Sequence, residues 1–186
     1  MTWYPPVVIV AAADEPVSLA EAKAHTRVDG NDDDTSLNNT IAAARAYVEA
    51  YCGTPLVSRT VAVKCDYFQD FAVLPLAPVS TISSITYLET AAGTQTLSDD
   101  LYELRSDGLT ASIVLQYGRS WPTIQPGSRI TVTATVGYAT LPDDIRHAML
   151  LLIGHWHKYR EAGAREVADI PHGVESLLAN HRMFPC

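Results

Sequence analysis

The 186-residue sequence is short of the features that mark a site of chemistry. Its three cysteines, Cys52, Cys65 and Cys186, show neither the C-x-x-C spacing of a zinc site nor the even count of a disulfide framework. That pattern points to a reducing compartment and to thiols used for packing. Basic residues are scarce, 13 Lys and Arg against 21 Asp and Glu, for a net charge of −8. With no basic cluster, the chain has no evident means of gripping nucleic acid by its phosphates or of lying on an anionic membrane. Long apolar runs are missing too. "AMLLLIG", Ala148 to Gly154, falls far below the ~20 residues a bilayer requires. The N-terminal "VVIVAAA" follows Pro5 and Pro6 with no basic segment before it, which is not the form of a signal peptide. A soluble, unexported protein is expected.

Catalytic motifs are equally absent: there is no H-E-x-x-H, G-x-S-x-G, G-x-G-x-x-G or P-loop. His155 and His157 form the best metal pair on offer, but residues two apart on a helix point about 200° away from one another. No metal, no cofactor and no enzymatic activity are expected.

The acidic stretch "VDGNDDDTSL", Val28 to Leu37, begins like a calcium loop, with Asp29, Asn31 and Asp33 at alternating positions. Asp34 then stands where the loop needs glycine, and Thr40 where it needs a bidentate glutamate. The simpler reading is a turn at Gly30 and Asn31, followed by a helix that one of Asp32 to Asp34 caps.

Hydrophobic content of 47% with 18% charged residues implies a globular chain with a substantial core. Ser18 and Glu21 in "PVSLAEAKAHTRV" form an S-x-x-E capping box that starts a short helix ending near Arg27. Leu37, Ile41, Ala44, Val48 and Tyr51 then recur at helical spacing until Gly53 and Pro55 stop them. Beyond Leu56 the period becomes two. Val61, Val63 and Cys65 share one face, and Ile130, Val132, Ala134 and Val136 alternate with threonines. Five or six short strands are expected, paired antiparallel because the links are too short for crossover helices.

Helix returns at "LPDDIRHAMLLLIGHWHKYRE", with the stripe Ile145, Met149, Leu152, Trp156 and Tyr159 and further apolar residues nearly all round. Gly154 in its middle suggests a close neighbour, expected to be another backbone. A polar linker, Glu161 to Asp169, leads to a last short helix around "PHGVESLLANHR". The fold expected is α+β: a helical bundle domain formed by residues 1–55 and 138–186, with an antiparallel β-unit at 56–137 inserted. Tyr117, Arg119 and Trp121 could stack on a sugar or base, or the tryptophan could brace a loop. Together with Tyr87 they allow an alternative reading, a stand-alone carbohydrate- or peptide-binding module.

Taken in order, "PVSLAEAKAHTRVDGNDDDTSLNNTIAAARAYVEAYCG", "PLAPVSTISSITYLETAAGTQTL", "YGRSWP", "ITVTATVGY", "LPDDIRHAMLLLIGHWHKYRE" and "IPHGVESLL" resemble the head-to-tail connector (adaptor) proteins of long-tailed phages, prophages and gene transfer agents. The resemblance runs from about Pro16 to about Arg182. Thr26 departs from it, standing where an aliphatic residue is expected.

The resemblance implies a structural protein of the virion neck, assembled in the host cytoplasm. Its copies would close a ring of roughly twelve by rotation, and that ring would join the portal to the head-closure or tail-completion protein. DNA would pass through the ring during packaging and ejection without specific binding. Asp32, Asp33 and Asp34 become candidates to face the channel, where they would repel DNA. Val174, Leu177, Leu178 and Phe184 become candidate anchors on the portal, the alternative being that Leu177 and Leu178 close the subunit's own core. Arg119 and Trp121 become candidate loop contacts.

Overall fold

Two hydrophobic periodicities divide the chain, and the elements follow them. The computed structural model describes residues 3–90, 93–159 and 172–183. In chain order these form β1 (Val7–Val10), α1 (Leu19–Thr26), α2 (Asp34–Cys52), β2 (Arg59–Cys65), β3 (Val79–Glu89), β4 (Gly93–Thr96), β5 (Tyr102–Asp107), β6 (Thr110–Leu115), β7 (Ile130–Val136), α3 (Asp143–Lys158) and α4 (His172–Leu178). The described residues are thus α+β, with four helices and wholly antiparallel sheets. The expected linker at 161–169 lies outside them.

Two compact units result. Among the described residues, one gathers 3–13 with those of Ser58–Ala139; the other gathers Asp14–Val57 with those from Thr140 to Met183.

In the first unit a five-stranded sheet runs in the order β1-β2-β7-β3-β4, and β5 pairs with β6 in a separate ribbon. β7 lies at the centre, in register with β2 from Val136↔Arg59 to Ile130↔Cys65. Its alternation places Ile130, Val132, Ala134 and Val136 inside, facing Val61, Val63 and Cys65 of β2. The threonines between them take the other face and supply β-branched side chains suited to a pleated surface. The N-terminal arm departs from expectation: it pairs with β2 through Val7↔Ala62 and Val8↔Val61, so it belongs with the strands and not with the helices.

The stretch "QTLSDDLYELRS" is divided between β4 and β5 by a 3₁₀ turn over Asp99–Leu101. Local side-chain bonds explain the break. Ser98 Oγ donates to Asp100, and the Tyr102 hydroxyl donates to Asp99 Oδ1 at 2.9 Å. Such bonds give the backbone an alternative to a continuous ladder.

In the second unit α3 packs against α1, α2 and α4. Ile145, Ala148, Met149, Leu152 and Ile153 are its buried residues, whereas Trp156 and Tyr159 are half-buried. On α2 the last core position falls to Cys52, not Tyr51, because the stripe ends on a four-residue step; Tyr51 stacks on Tyr47 beside it. The capping box forms as the sequence requires. Ser18 Oγ accepts from the Glu21 N–H at 3.2 Å, and Glu21 Oε2 accepts from the Ser18 N–H at 2.9 Å. Thr26 is accommodated by donating its hydroxyl back to the Ala22 carbonyl at 2.8 Å.

The close neighbour at Gly154 is a side chain and not a backbone: a Cβ placed there would lie 3.2 Å from the imidazole of His25. His25 is exposed and its ring is free to turn outward. The helix-propensity gain should therefore win. Gly154→Ala is expected to leave the melting transition unchanged or to raise stability by up to about 1 kcal/mol. Ser18→Ala, which removes a cap, should lower it by about 1 kcal/mol. Urea unfolding of the two variants checks both signs.

Candidate functional site

The acid turn already holds a cation. The Lys23 ammonium forms an ion pair with Asp34, and it donates to the Gly30 carbonyl at 2.8 Å and to Asn31 Oδ1 at 3.3 Å. Asp33 occupies the N-cap of α2 but makes no side-chain cap hydrogen bond, so the capping expected of this cluster is positional only. Asp32 is exposed, whereas Asp33 and Asp34 are half-buried. Among the described residues no group of three or more His, Cys, Asp or Glu side chains converges as metal ligands.

The C-terminal segment is folded onto its own unit. Val174 and Leu178 are fully buried, and Leu177 is half-buried. In this conformation Val174 and Leu178 are therefore part of the subunit's core and not presented as anchors, which is what a short amphipathic helix achieves by docking its apolar face locally. Phe184 lies outside the described residues. Polar contacts also hold the segment. His181 Nε2 lies 2.6 Å from Asp144 Oδ2, the Met183 N–H donates to the Cys52 carbonyl at 2.7 Å, and the Arg182 guanidinium sits 5.0 Å over the Tyr51 ring.

Asp144 is at the first turn of α3, where the helix dipole favours an anion. Burial pushes its carboxyl upward, but the hydrogen bonds from His181 and from the Ile145 N–H outweigh that and hold it below the usual aspartate range. Two residues on, Arg146 reaches Glu21 Oε1 at 2.9 Å. The Glu21 carboxyl is likewise lowered, chiefly by its hydrogen bonds with Ser18 and secondarily by Arg146.

In the β-unit, Trp121 turns inward. It stacks on Phe68 at 4.8 Å with an interplanar angle of 3° and meets Phe71 edge-on at 5.5 Å. Trp3 also stacks on Phe71, at 6.2 Å, and donates its indole N–H to the Val73 carbonyl. Of the two expected loop contacts, Trp121 is thus an internal brace, with no open ring face for a ligand between it and Phe68. Arg119 is exposed and paired with Asp100 at 2.8 Å. Tyr117, two residues before it, is fully exposed at 106%.

The other large exposed apolar side chains concentrate on β1, where Val7, Val8, Ile9 and Val10 are all more than half exposed. Sequence periodicity missed this because it assigns faces and not edges. The buried thiols carry no chemistry: burial pushes Cys52 up to about 11 and Cys65 to about 12, so both stay protonated.

With this geometry established, comparison with known proteins is informative. A family model described as head completion protein matches residues 16–184. Solved structures of similar fold include a chain of the neck of an empty GTA particle computed with C6 symmetry, at TM-score 0.79 and 23% identity, covering 98% of this chain and 97% of that one. A chain of the virion of a native gene transfer agent (GTA) particle matches at TM-score 0.78 and 25% identity, over 97% and 96% of the two chains. A chain of the neck of a native GTA particle computed with C12 symmetry matches at TM-score 0.75 and 23% identity, over 98% and 97%. No curated protein matches the sequence.

Two measurements test the described contacts. Because the folded-state pKa of Asp144 is depressed, its contribution is present above the unfolded value and is lost as pH falls through the folded one. Asp144→Asn should therefore be less stable than the parent at pH 7, and the difference should begin to shrink only near the ordinary aspartate value of about 4 and vanish once the pH is below the depressed folded-state value. Trp121→Ala should cost about 3 kcal/mol, in the range for truncating a packed aromatic, whereas Tyr117→Ala should stay within about 0.5 kcal/mol of the parent. Thermal melts of the pair decide it.

Proposed function

The chain belongs to the head completion protein family, and on that premise we propose that it is a structural protein of a virion neck, the head-to-tail adaptor between the portal and the head-closure or tail-completion protein. The observation that carries this reading is the family match over residues 16–184, which reaches across both units of the fold. The likeness to neck chains supports it, since it extends over nearly the full length of both partners. On this reading the helical segments form a bundle that carries the β-unit as an insertion.

The copies assemble head-to-tail into a ring of roughly twelve, because one interface repeated by rotation closes a ring without self-complementarity. The necks of the similar particles were computed with C6 and C12 symmetry, which fits such a ring. The lumen continues the DNA channel. Asp32, Asp33 and Asp34 face it, and their charge keeps the duplex from adhering as it slides. The Lys23 ion pair with Asp34 reduces that repulsion locally, so Asp32, the exposed member, carries most of it.

Docking on the portal uses the C-terminal segment. For Val174 and Leu178 to take part, α4 must leave its seat on its own unit, whereas the half-buried Leu177 needs no such release; Phe184 is the fourth proposed anchor. Loop contacts with the next neck component fall to Tyr117 and Arg119, which are exposed, since the half-buried Trp121 stacks one ring face on Phe68.

Light scattering of the purified chain, alone and mixed with its portal, followed by negative-stain imaging, tests the adaptor role. Rings, or a monomer recruited onto the portal, are expected. A chain that stays monomeric beside the portal but binds a glycan or peptide would replace this reading with the binding-module alternative. Substituting Asp32, Asp33 and Asp34 together by asparagine should slow DNA ejection from assembled particles; normal ejection would remove the channel role from these residues.

A further inference from the structure

We propose that β1 is one half of the contact between neighbouring copies in the ring. This inference rests on the ring reading above and specifies where the subunits meet. β1 is a terminal strand of its sheet, hydrogen-bonded to β2 on one side. An edge strand presents a row of backbone donors and acceptors on its other side, and soluble proteins blunt such edges with lysine, inward charges, proline, bulges or short strands; β1, four residues long, has the last three of these but none of the charges that would keep a neighbour's apolar surface away. β1 carries no charge at all. Its irregularity is a bulge at Ile9, where the register shifts between Val8 and Val10, and Pro5 and Pro6 precede it.

Its side chains add to the case. Val7, Val8, Ile9 and Val10 are exposed by 62%, 51%, 56% and 57%, on both faces of the strand. Together they present on the order of 400 Å² of apolar surface, about the size of the largest patch a monomer usually carries. A standard interface needs about 800 Å² from each partner. The strand by itself is therefore too small to hold a free dimer and large enough to anchor a contact completed by other surfaces.

Three considerations select a second copy of this chain as the occupant. Copies bearing a net charge of −8 repel one another, and an uncharged strand is where two of them approach at least cost. A ring contact must recur on every subunit, and in a ring of more than two copies the surface opposite β1 must be a different part of the neighbour. DNA is excluded as occupant because an apolar strand on an acidic chain offers its phosphates nothing.

The full chain with Val8→Glu and Ile9→Glu tests this, assembled with portal beside the parent and beside a control carrying Ser36→Glu and Asn39→Glu, the same added charge on the exposed face of α2. Circular dichroism and a thermal melt establish that each variant folds. The expected result is at least about a tenfold loss in the fraction recovered as rings for the β1 variant, the effect of removing one anchoring contact, with the control unaffected.

As a second measurement, Val8→Cys in a Cys186→Ser background should be alkylated at least about tenfold more slowly in rings than in the free chain, the same scale of protection. Rings formed by the β1 variant at parental yield, with Val8→Cys equally reactive in both states, would overturn the inference while leaving the ring reading intact. Such rings that failed only to recruit the next neck component would assign β1 to that partner instead, and would overturn it too. Absence of rings from the parent would remove both.

Discussion

The helical unit depends on one constraint: α3 is apolar on more faces than a single neighbour can cover. Ile145, Ala148, Met149, Leu152 and Ile153 all lose contact with water. At about 1.5–3 kcal/mol for each large side chain buried, they form a major favourable contribution that opposes the conformational entropy lost in ordering the unit. Helices from both ends of the chain are needed to achieve that burial, α1 and α2 before the β-unit and α4 after it. Polar contacts converge on the same turn of α3. Arg146 holds Glu21 of α1, and Asp144 holds His181 beyond α4. The first turn of α3 therefore registers the two chain ends against each other, and Glu21 serves twice, as cap of its own helix and as partner to Arg146.

The β-unit solves a different problem. Its central strand, β7, has neighbours on both sides and an alternating sequence, so its apolar face is buried without ambiguity. The core is then extended by aromatic rings. Phe68 and Phe71 stand edge-on to each other at 5.5 Å, and Trp121 fits against both. This arrangement secures the long connection between β6 and β7 from within while leaving Tyr117 in solvent. A loop braced in this way can offer a contact residue without much conformational freedom to lose on binding.

Much of this was legible in the sequence where a local pattern dictates a local outcome. The capping box at Ser18 and Glu21, the stripe on α2 and the alternation of β2 and β7 depend on nearest neighbours, and each appears where its spacing places it. What could not be read depends on partners distant in the chain. The pairing of β1 with β2 joins residues fifty or more positions apart, and nothing in "VVIV" says which strand it will meet. The burial of Val174 and Leu178 against their own unit depends on where another helix lies. Trp121 is the clearest case. Its position in a turn between strands suits an exposed stacking platform and an internal brace equally well, and only the placement of Phe68 separates them.

Charge and exposure are distributed unevenly in a way that bears on assembly. A chain with 21 acidic and 13 basic residues resists contact with copies of itself over most of its surface. Several of its acids are already engaged within the subunit: Glu15 by Arg45, Asp34 by Lys23, Asp100 by Arg119. Exposed ion pairs of this kind add little to stability, but they do determine where uncompensated charge remains. Against that background an uncharged, exposed strand is conspicuous, because burying it elsewhere would have been the cheaper arrangement for a monomer. Its retention at a sheet edge makes sense when the exposed state is temporary and the strand is covered in the assembled particle. On the ring reading proposed above, that acidity limits association between copies to the few places where charge is missing.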